Sequence, residues 1–238
     1  MKKIFTVFTA LFLAFQSVCS AYSDVEDSSL QDKLNMLSEM SIISGYEDGS
    51  FRPDSSITRA EFAKVIMSAI IVDSSVSDEK AFDDTVGHWS EEYVLLARHF
   101  SIINGMTDRI FEPNANVTYE QAIKMIVAAI GYNDEAQKRG GYSQGYISVA
   151  EELGITNGIM YRNADSATRK DVAEMVYNSL QVPFYFLTFN DGLLEYDFSE
   201  SSLLEIFNMQ KITLVAEETE EDYLEEVEET IETEESVG

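Results

Sequence analysis

Cysteine is almost absent from this 238-residue sequence: the single copy, Cys19, lies in the N-terminal apolar stretch. Disulfide stapling is excluded, so a packed core must hold the fold together. Basic residues are also scarce. Sixteen Lys and Arg stand against 43 Asp and Glu, a formal net charge of −27. Nucleic acid or an anionic membrane cannot be held by bulk electrostatics on such a chain. The two histidines, His88 and His99, are too few for a metal centre and read as local polar contacts. No metal or cofactor is expected. A Gly-x-Ser-x-Gly elbow, a phosphate loop and a cysteine nucleophile are all missing. Carboxylates are numerous enough to leave a glycosidase pair open on composition, but no region reads as a domain to house one, so no enzyme is expected. The segment YEDGSFRPD has the look of half a calcium loop, yet its ligand positions and a closing Glu are out of register, and it reads as a turn.

What is present is enough apolar residue, 45%, for a core. Residues 1–21 read as a secretory signal peptide: Lys2 and Lys3, an apolar run from Ile4 to Phe15, then Ser17, Cys19, Ser20 and Ala21 before the cut. A lipid-modified Cys19 is the alternative, disfavoured by Val18 in front of it. The mature chain is expected to leave the membrane. Its charge is uneven, with 17 acidic residues and 1 basic from Gln181 to the end.

Three imperfect repeats occupy the middle of the chain. LNMLSEMSIISGYEDGSFRPDSSITRAEFAKVIMSAI is followed 60 residues later by YVLLARHFSIINGMTDRIFEPNANVTYEQAIKMIVAAI, which aligns Gly45 with Gly105, Phe51 with Phe111, Pro53 with Pro113 and Thr58 with Thr118. In the third, YISVAEELGITNGIMYRNADSATRKDVAEMVYNSL, Gly158 and Thr168 align, and the loop between them is shorter. Each unit reads as helix, loop, helix. The second helices carry Phe62, Ala63, Ile66, Ile70; Ala122, Ile123, Ile126, Ile130; and Val172, Ala173, Val176, Leu180 at helical spacing. The first helices carry Leu34, Leu37 and Ser41, and Tyr93, Leu96, Ala97 and Phe100. One hairpin of this kind buries too little to stand alone; three can pool their faces in a mainly α bundle. Thr58-x-x-Glu61 and Thr118-x-x-Gln121 are capping boxes, and Thr168-x-x-Asp171 is a weaker version. They leave Arg59 and Arg169 unexplained. Either each is a solvated or ion-paired surface residue, or guanidinium and helix N-terminal amides together form an anion site.

These units resemble the S-layer homology (SLH) family. The resemblance rests on DGSFRPDSSITRAEFAKVI in the first, on FDDTVGHWSEEYVLLA and GMTDRIFEPNANVTYEQA in the second, and on ATRKDVAEMVYNSL in a degenerate third that lacks the Asp-Gly turn, the Phe and the Pro. It covers about residues 22–181, divided into repeats at 22–72, 82–132 and 140–181. It implies a pseudo-threefold helical assembly whose grooves bind a secondary cell-wall polysaccharide, often pyruvylated, and so tether an exported protein to the bacterial wall. It also implies glycan-binding roles for Arg59, Glu61 and Arg169, for Asp83 and Trp89 at the start of a unit, and for position 119, where Tyr119 departs from the family's Arg. Tyr119 can stack on a pyranose but carries no permanent charge. Trp89 is either core filler or a sugar platform.

From Pro183 the texture changes. FYFLTFN and LLEYDFS flank Asp191-Gly192 and read as a β-hairpin within a short β-rich segment, 183–215; a lone hairpin must pack on the helices or on a partner. The last segment, 216–238, carries 12 acidic residues from Glu217 with no basic ones and is expected to be disordered. The alternative function is an interaction protein whose repeats no longer bind glycan and whose C-terminal segment engages a protein partner.

Overall fold

A threonine sets the start of the second helix in every repeat. The computed structural model describes residues 22–70, 82–161, 165–190 and 193–208. The proposed leader, 1–21, and the acidic tail, 216–238, lie outside the described residues. Thr58, Thr118 and Thr168 each accept the amide three positions on, and Glu61, Gln121 and Asp171 each reach back to the threonine's own amide. All three capping boxes are complete, the third as fully as the others. They open α2 (Arg59–Ala69), α4 (Tyr119–Ala129) and α7 (Arg169–Ser179).

The first helices are α1 (Ser28–Glu39), α3 (Glu91–His99) and α6 (Gln144–Glu152); a short α5 (Asn133–Lys138) precedes α6. Asp27 caps α1 by accepting the amides of Ser29 and Leu30. Ser41 does not extend the apolar face of α1. The helix ends at Glu39, and Ser41 sits in the left-handed region (φ 57°), as Ser101 does after α3 (φ 56°).

Packing crosses from repeat to repeat. The first helix of each unit lies on the second helix of the unit before it: α3 on α2, α6 on α4, and α1 on α7. The last contact closes the ring. The three second helices also touch one another, and their Phe62, Ile66, Ile123, Ile126, Val172 and Val176 are buried in one continuous core. Just before these helices the backbone forms a closed triangle. Ile57 N–H donates to the Ala167 carbonyl (3.4 Å), Ala167 N–H to Val117 (2.9 Å), and Val117 N–H to Ile57 (3.0 Å). All three side chains are fully buried. The expected pseudo-threefold bundle is thus an interlocked ring, and no unit has a private core.

The hairpin is present: β1 (Pro183–Asn190) pairs antiparallel with β2 (Leu193–Ser202), Asn190 facing Leu193. It docks on the helices through Tyr185 N–H to the Ile130 carbonyl (3.0 Å) and the Tyr132 hydroxyl to the Pro183 carbonyl (3.0 Å). Gly131, at φ 83°, lets the strand come this close.

Candidate functional site

The N-termini of α2, α4 and α7 face the loop of the next repeat, and this is where the candidate residues gather. Arg59 is only 5% exposed. Its Nε donates to the Phe111 carbonyl (2.8 Å), Nη2 to the Asn104 carbonyl (3.1 Å) and Nη1 to Gln121 Oε1 (3.3 Å), while the guanidinium lies over the Phe111 ring at 4.3 Å. Arg169 repeats the pattern one step round the ring. Nε donates to Phe51 (2.8 Å), Nη2 to Ser44 (3.0 Å), and the guanidinium stacks over Phe51 and Tyr46. Burial pulls Arg59 below its ordinary pKa, against the opposing charges of Glu112 and Asp84. Neither arginine is a surface residue, and among the described residues neither guanidinium is seated on a carboxylate. Each is a staple between repeats.

The helix amides beside them are not open to an anion. Arg59 N–H donates to the Ala115 carbonyl and Ala60 N–H to Pro113; Arg169 N–H donates to Ser55 and Lys170 N–H to Pro53. The third amide goes to the capping threonine in each case. Expecting a ready anion cradle at these N-termini is therefore incorrect: the neighbouring loop fills it with carbonyl oxygens.

At the third corner Tyr119 replaces the arginine. It is 1% exposed, packs edge-on against Tyr161 at 5.3 Å, and its N–H donates to the Asp165 carbonyl. A side chain so covered cannot stack on a sugar.

Residues 21–63 and 81–123 match the sequence model of the S-layer homology domain. The chain carries S-layer homology domains. It is 30% identical over 200 residues to the middle cell wall protein of Brevibacillus brevis, and 30% identical over 179 residues to the surface layer protein of Brevibacillus choshinensis. These alignments cover 76% and 71% of this chain but 18% and 15% of the relatives, so the chain spans less than a fifth of either. A cellulosome-anchoring protein of Acetivibrio thermocellus is 28% identical over 132 residues, covering 50% of this chain and 29% of that protein.

The remaining SLH candidates are scattered. Glu61 is occupied in its capping box, with Oε2 accepting the Thr58 amide (2.8 Å) and hydroxyl (2.9 Å). Asp83 pairs with Arg109 at the surface. The residue that does for the second SLH repeat what Asp24 does for the first is Asp84. Asp24 accepts the amides of Phe51 and Arg52, both at 2.7 Å; Asp84 accepts those of Phe111 (2.9 Å) and Glu112 (2.7 Å). The 60-residue offset of the repeats carries the signal, since it places Asp24 on Asp84. Trp89 is 55% exposed beside His88, ring centroids 5.5 Å apart, so it is no core filler. His88 Nδ1 lies 2.8 Å from Ser90 Oγ, a local polar contact. In the YEDGSFRPD segment Asp48 accepts the Ser50 N–H and hydroxyl and pairs with Arg52, as in a turn. Among the described residues no cluster of His, Cys, Asp and Glu could hold a metal ion, and no helix is long and apolar enough to cross a membrane.

Proposed function

We propose that this protein anchors non-covalently to the bacterial cell wall by binding secondary wall polysaccharide, in its pyruvylated form, and that it does so without catalysis. The observation that carries the reading is the pair of SLH matches at 21–63 and 81–123 in a chain whose repeats interlock into one ring. Relatives named for the cell wall, the surface layer and cellulosome anchoring support it, and with it a location at the cell surface after export. The candidate glycan contacts are Arg59, Glu61, Asp83, Trp89 and Arg169. Trp89 offers the exposed ring, whereas the two arginines act from the floor of their corners, lending charge and fixing loop geometry.

The test is sedimentation of the mature chain with purified sacculi, before and after chemical removal of the polysaccharide. Binding lost with the polysaccharide is the expected result; binding that survives its removal, or no binding at all, overturns the reading. A protein partner at the C-terminal segment is the second reading, favoured by the exposed Tyr185–Phe198 pair on the hairpin, whose ring centroids are 5.0 Å apart.

A further inference from the structure

A side-chain amide or acid followed by glycine is chemically labile, because glycine has no Cβ to shield its nitrogen from the neighbouring side-chain carbon. The described residues hold three such pairs: Asp48-Gly49, Asn104-Gly105 and Asn157-Gly158. Local sequence ranks the two asparagine pairs alike. The structure separates all three.

At Asp48-Gly49 the glycine is open, with nothing within 4 Å of a Cβ built on it, but the carboxylate is taken. It accepts the Ser50 amide (3.0 Å) and hydroxyl (2.6 Å) and pairs with Arg52, and these donors keep it ionised. An ionised carboxylate resists attack by an amide nitrogen. At Asn104-Gly105 the side chain is an amide, but the glycine is covered: a Cβ built there would collide with the Phe82 ring and with the Thr107 and Ile110 carbonyls. The carbonyl of the same peptide accepts Arg59 Nη2 (3.1 Å), so turning that peptide breaks a contact between repeats.

The pair in the third repeat has neither protection. Asn157 and Gly158 are both exposed, and nothing lies within 4 Å of a Cβ built on Gly158. The carbonyl between them accepts Asn178 Nδ2 (3.1 Å), a bond that faces solvent and stays within the repeat.

We propose that Asn157 is a site of spontaneous deamidation, in which the Gly158 nitrogen attacks the Asn157 side-chain carbon and water opens the resulting cyclic imide to aspartate and isoaspartate. The attack forms an N–Cγ bond as the nitrogen gives up its proton. The Cγ–Nδ2 bond breaks, and Nδ2 leaves as ammonia with that proton. Water then cleaves one of the two C–N bonds that the imide makes to Gly158. Cleavage at Cγ leaves aspartate; cleavage at the main-chain carbon leaves isoaspartate. No electrons change hands, and water is the co-reactant. Either product adds a negative charge to a chain already at −27. Isoaspartate also lengthens the main chain inside the turn that Asn178, on α7, closes through the Ile155 (3.0 Å) and Asn157 carbonyls. The folded chain thus ages at the third repeat before the second, whatever its repeats bind.

The test incubates the mature chain in mildly alkaline buffer, folded and, in parallel, unfolded in guanidinium chloride. Peptide mapping by mass spectrometry follows the amide-to-acid mass gain at each asparagine, and an isoaspartyl methyltransferase labels the isoaspartate. In guanidinium chloride Asn104 and Asn157 should convert at comparable rates, since glycine follows both. In the folded chain Asn157 should convert tenfold faster than Asn104 or more, because chemistry at Asn104 waits for its corner to open. Asn157→Gln should remove the methyl label from the peptide that carries position 157. A folded chain in which Asn157 converts no faster than Asn104, or a label that persists on that peptide in Asn157→Gln, overturns the site.

Discussion

Arg59→Ala is expected to damage the fold before it damages any binding. The side chain spans two repeats, its donors ending on Phe111 and Asn104 carbonyls and on Gln121 Oε1. Removing it orphans two main-chain carbonyls in a nearly closed site. Each costs about 1–3 kcal/mol when left without a donor. Loss of the guanidinium from the Phe111 face and the void left behind add to this, while water entering the void offsets part of it. The expected loss is about 3–5 kcal/mol, a large share of the roughly 5–15 kcal/mol that holds a domain together. The assay is urea unfolding followed by far-ultraviolet circular dichroism, with Arg52→Ala as control. Arg52 lies at the surface with Asp48, so that variant should keep the wild-type midpoint. An Arg59→Ala midpoint within error of wild type, at unchanged slope, would refute the staple and restore Arg59 as a surface residue. A wall-binding defect in an arginine variant is interpretable only beside such a curve.

Three further outcomes follow from the same geometry. The side chain of Ser50, then Arg52, then the Ser50 amide hold Asp48 down to about 2 from the ordinary 3.8. A carboxylate depressed in the folded state contributes stability above its unfolded pKa and loses it as pH falls to the folded one. Protection of the Ser50 amide, its exchange rate compared with the intrinsic rate at the same pH, should therefore fall between pH 4 and 2, as these two values imply, and Asp48→Asn should show the low protection already at pH 6. Burial, then the charge of Arg59, press Lys124 down to about 8 from 10.5. Between those values the unfolded chain binds more protons than the folded one, so stability should rise with pH across that window, and Lys124→Met should flatten the slope. Gly131→Ala places a methyl 2.5 Å from Tyr185 Cβ at φ 83°. It should cost about 1–3 kcal/mol and speed exchange of the Tyr185 amide, with the exchange rate as the check.

Local patterns in the sequence carried the helices. Thr-x-x-Glu and apolar spacing need only four to eight neighbouring residues, so capping boxes and buried faces could be read directly. What could not be read were contacts closing over long stretches of chain. That Arg59 would turn inward depends on the Phe111 and Asn104 carbonyls, 52 and 45 residues away. That its helix amides would be filled depends on a loop of the next repeat. The Asp84 clamp is not visible in the local motif; the offset that links Asp24 to Asp84 finds it. Tyr161 went unnoticed because the third loop is shorter and its aromatic is a Tyr; counting back from Thr168 finds it.

Tyr119→Arg is the substitution on which sequence and structure disagree most. From sequence it restores a motif above an intact cap. In the structure it must place a cation where a buried phenol packs edge-on to Tyr161. The guanidinium of Arg59 finds Asn104 and that of Arg169 finds Ser44, carbonyls next to the aligned glycines 105 and 45. At the third corner the carbonyl next to Gly158 is that of Asn157, and it already accepts Asn178 Nδ2 at 3.1 Å, as the Ile155 carbonyl does at 3.0 Å. The incoming cation would have to displace Asn178 or go without the carbonyl seat that the other two corners offer, a cost of about 1–3 kcal/mol. Glu120 Oε1 already accepts the Tyr161 hydroxyl. Tyr119→Arg should therefore lower the urea midpoint, and Tyr119→Arg with Asn178→Ala should recover part of the loss by freeing the two carbonyls. A single variant as stable as wild type would mean that the third loop offers a guanidinium the same seat as the other two, and that Tyr119 reflects ligand choice and not packing.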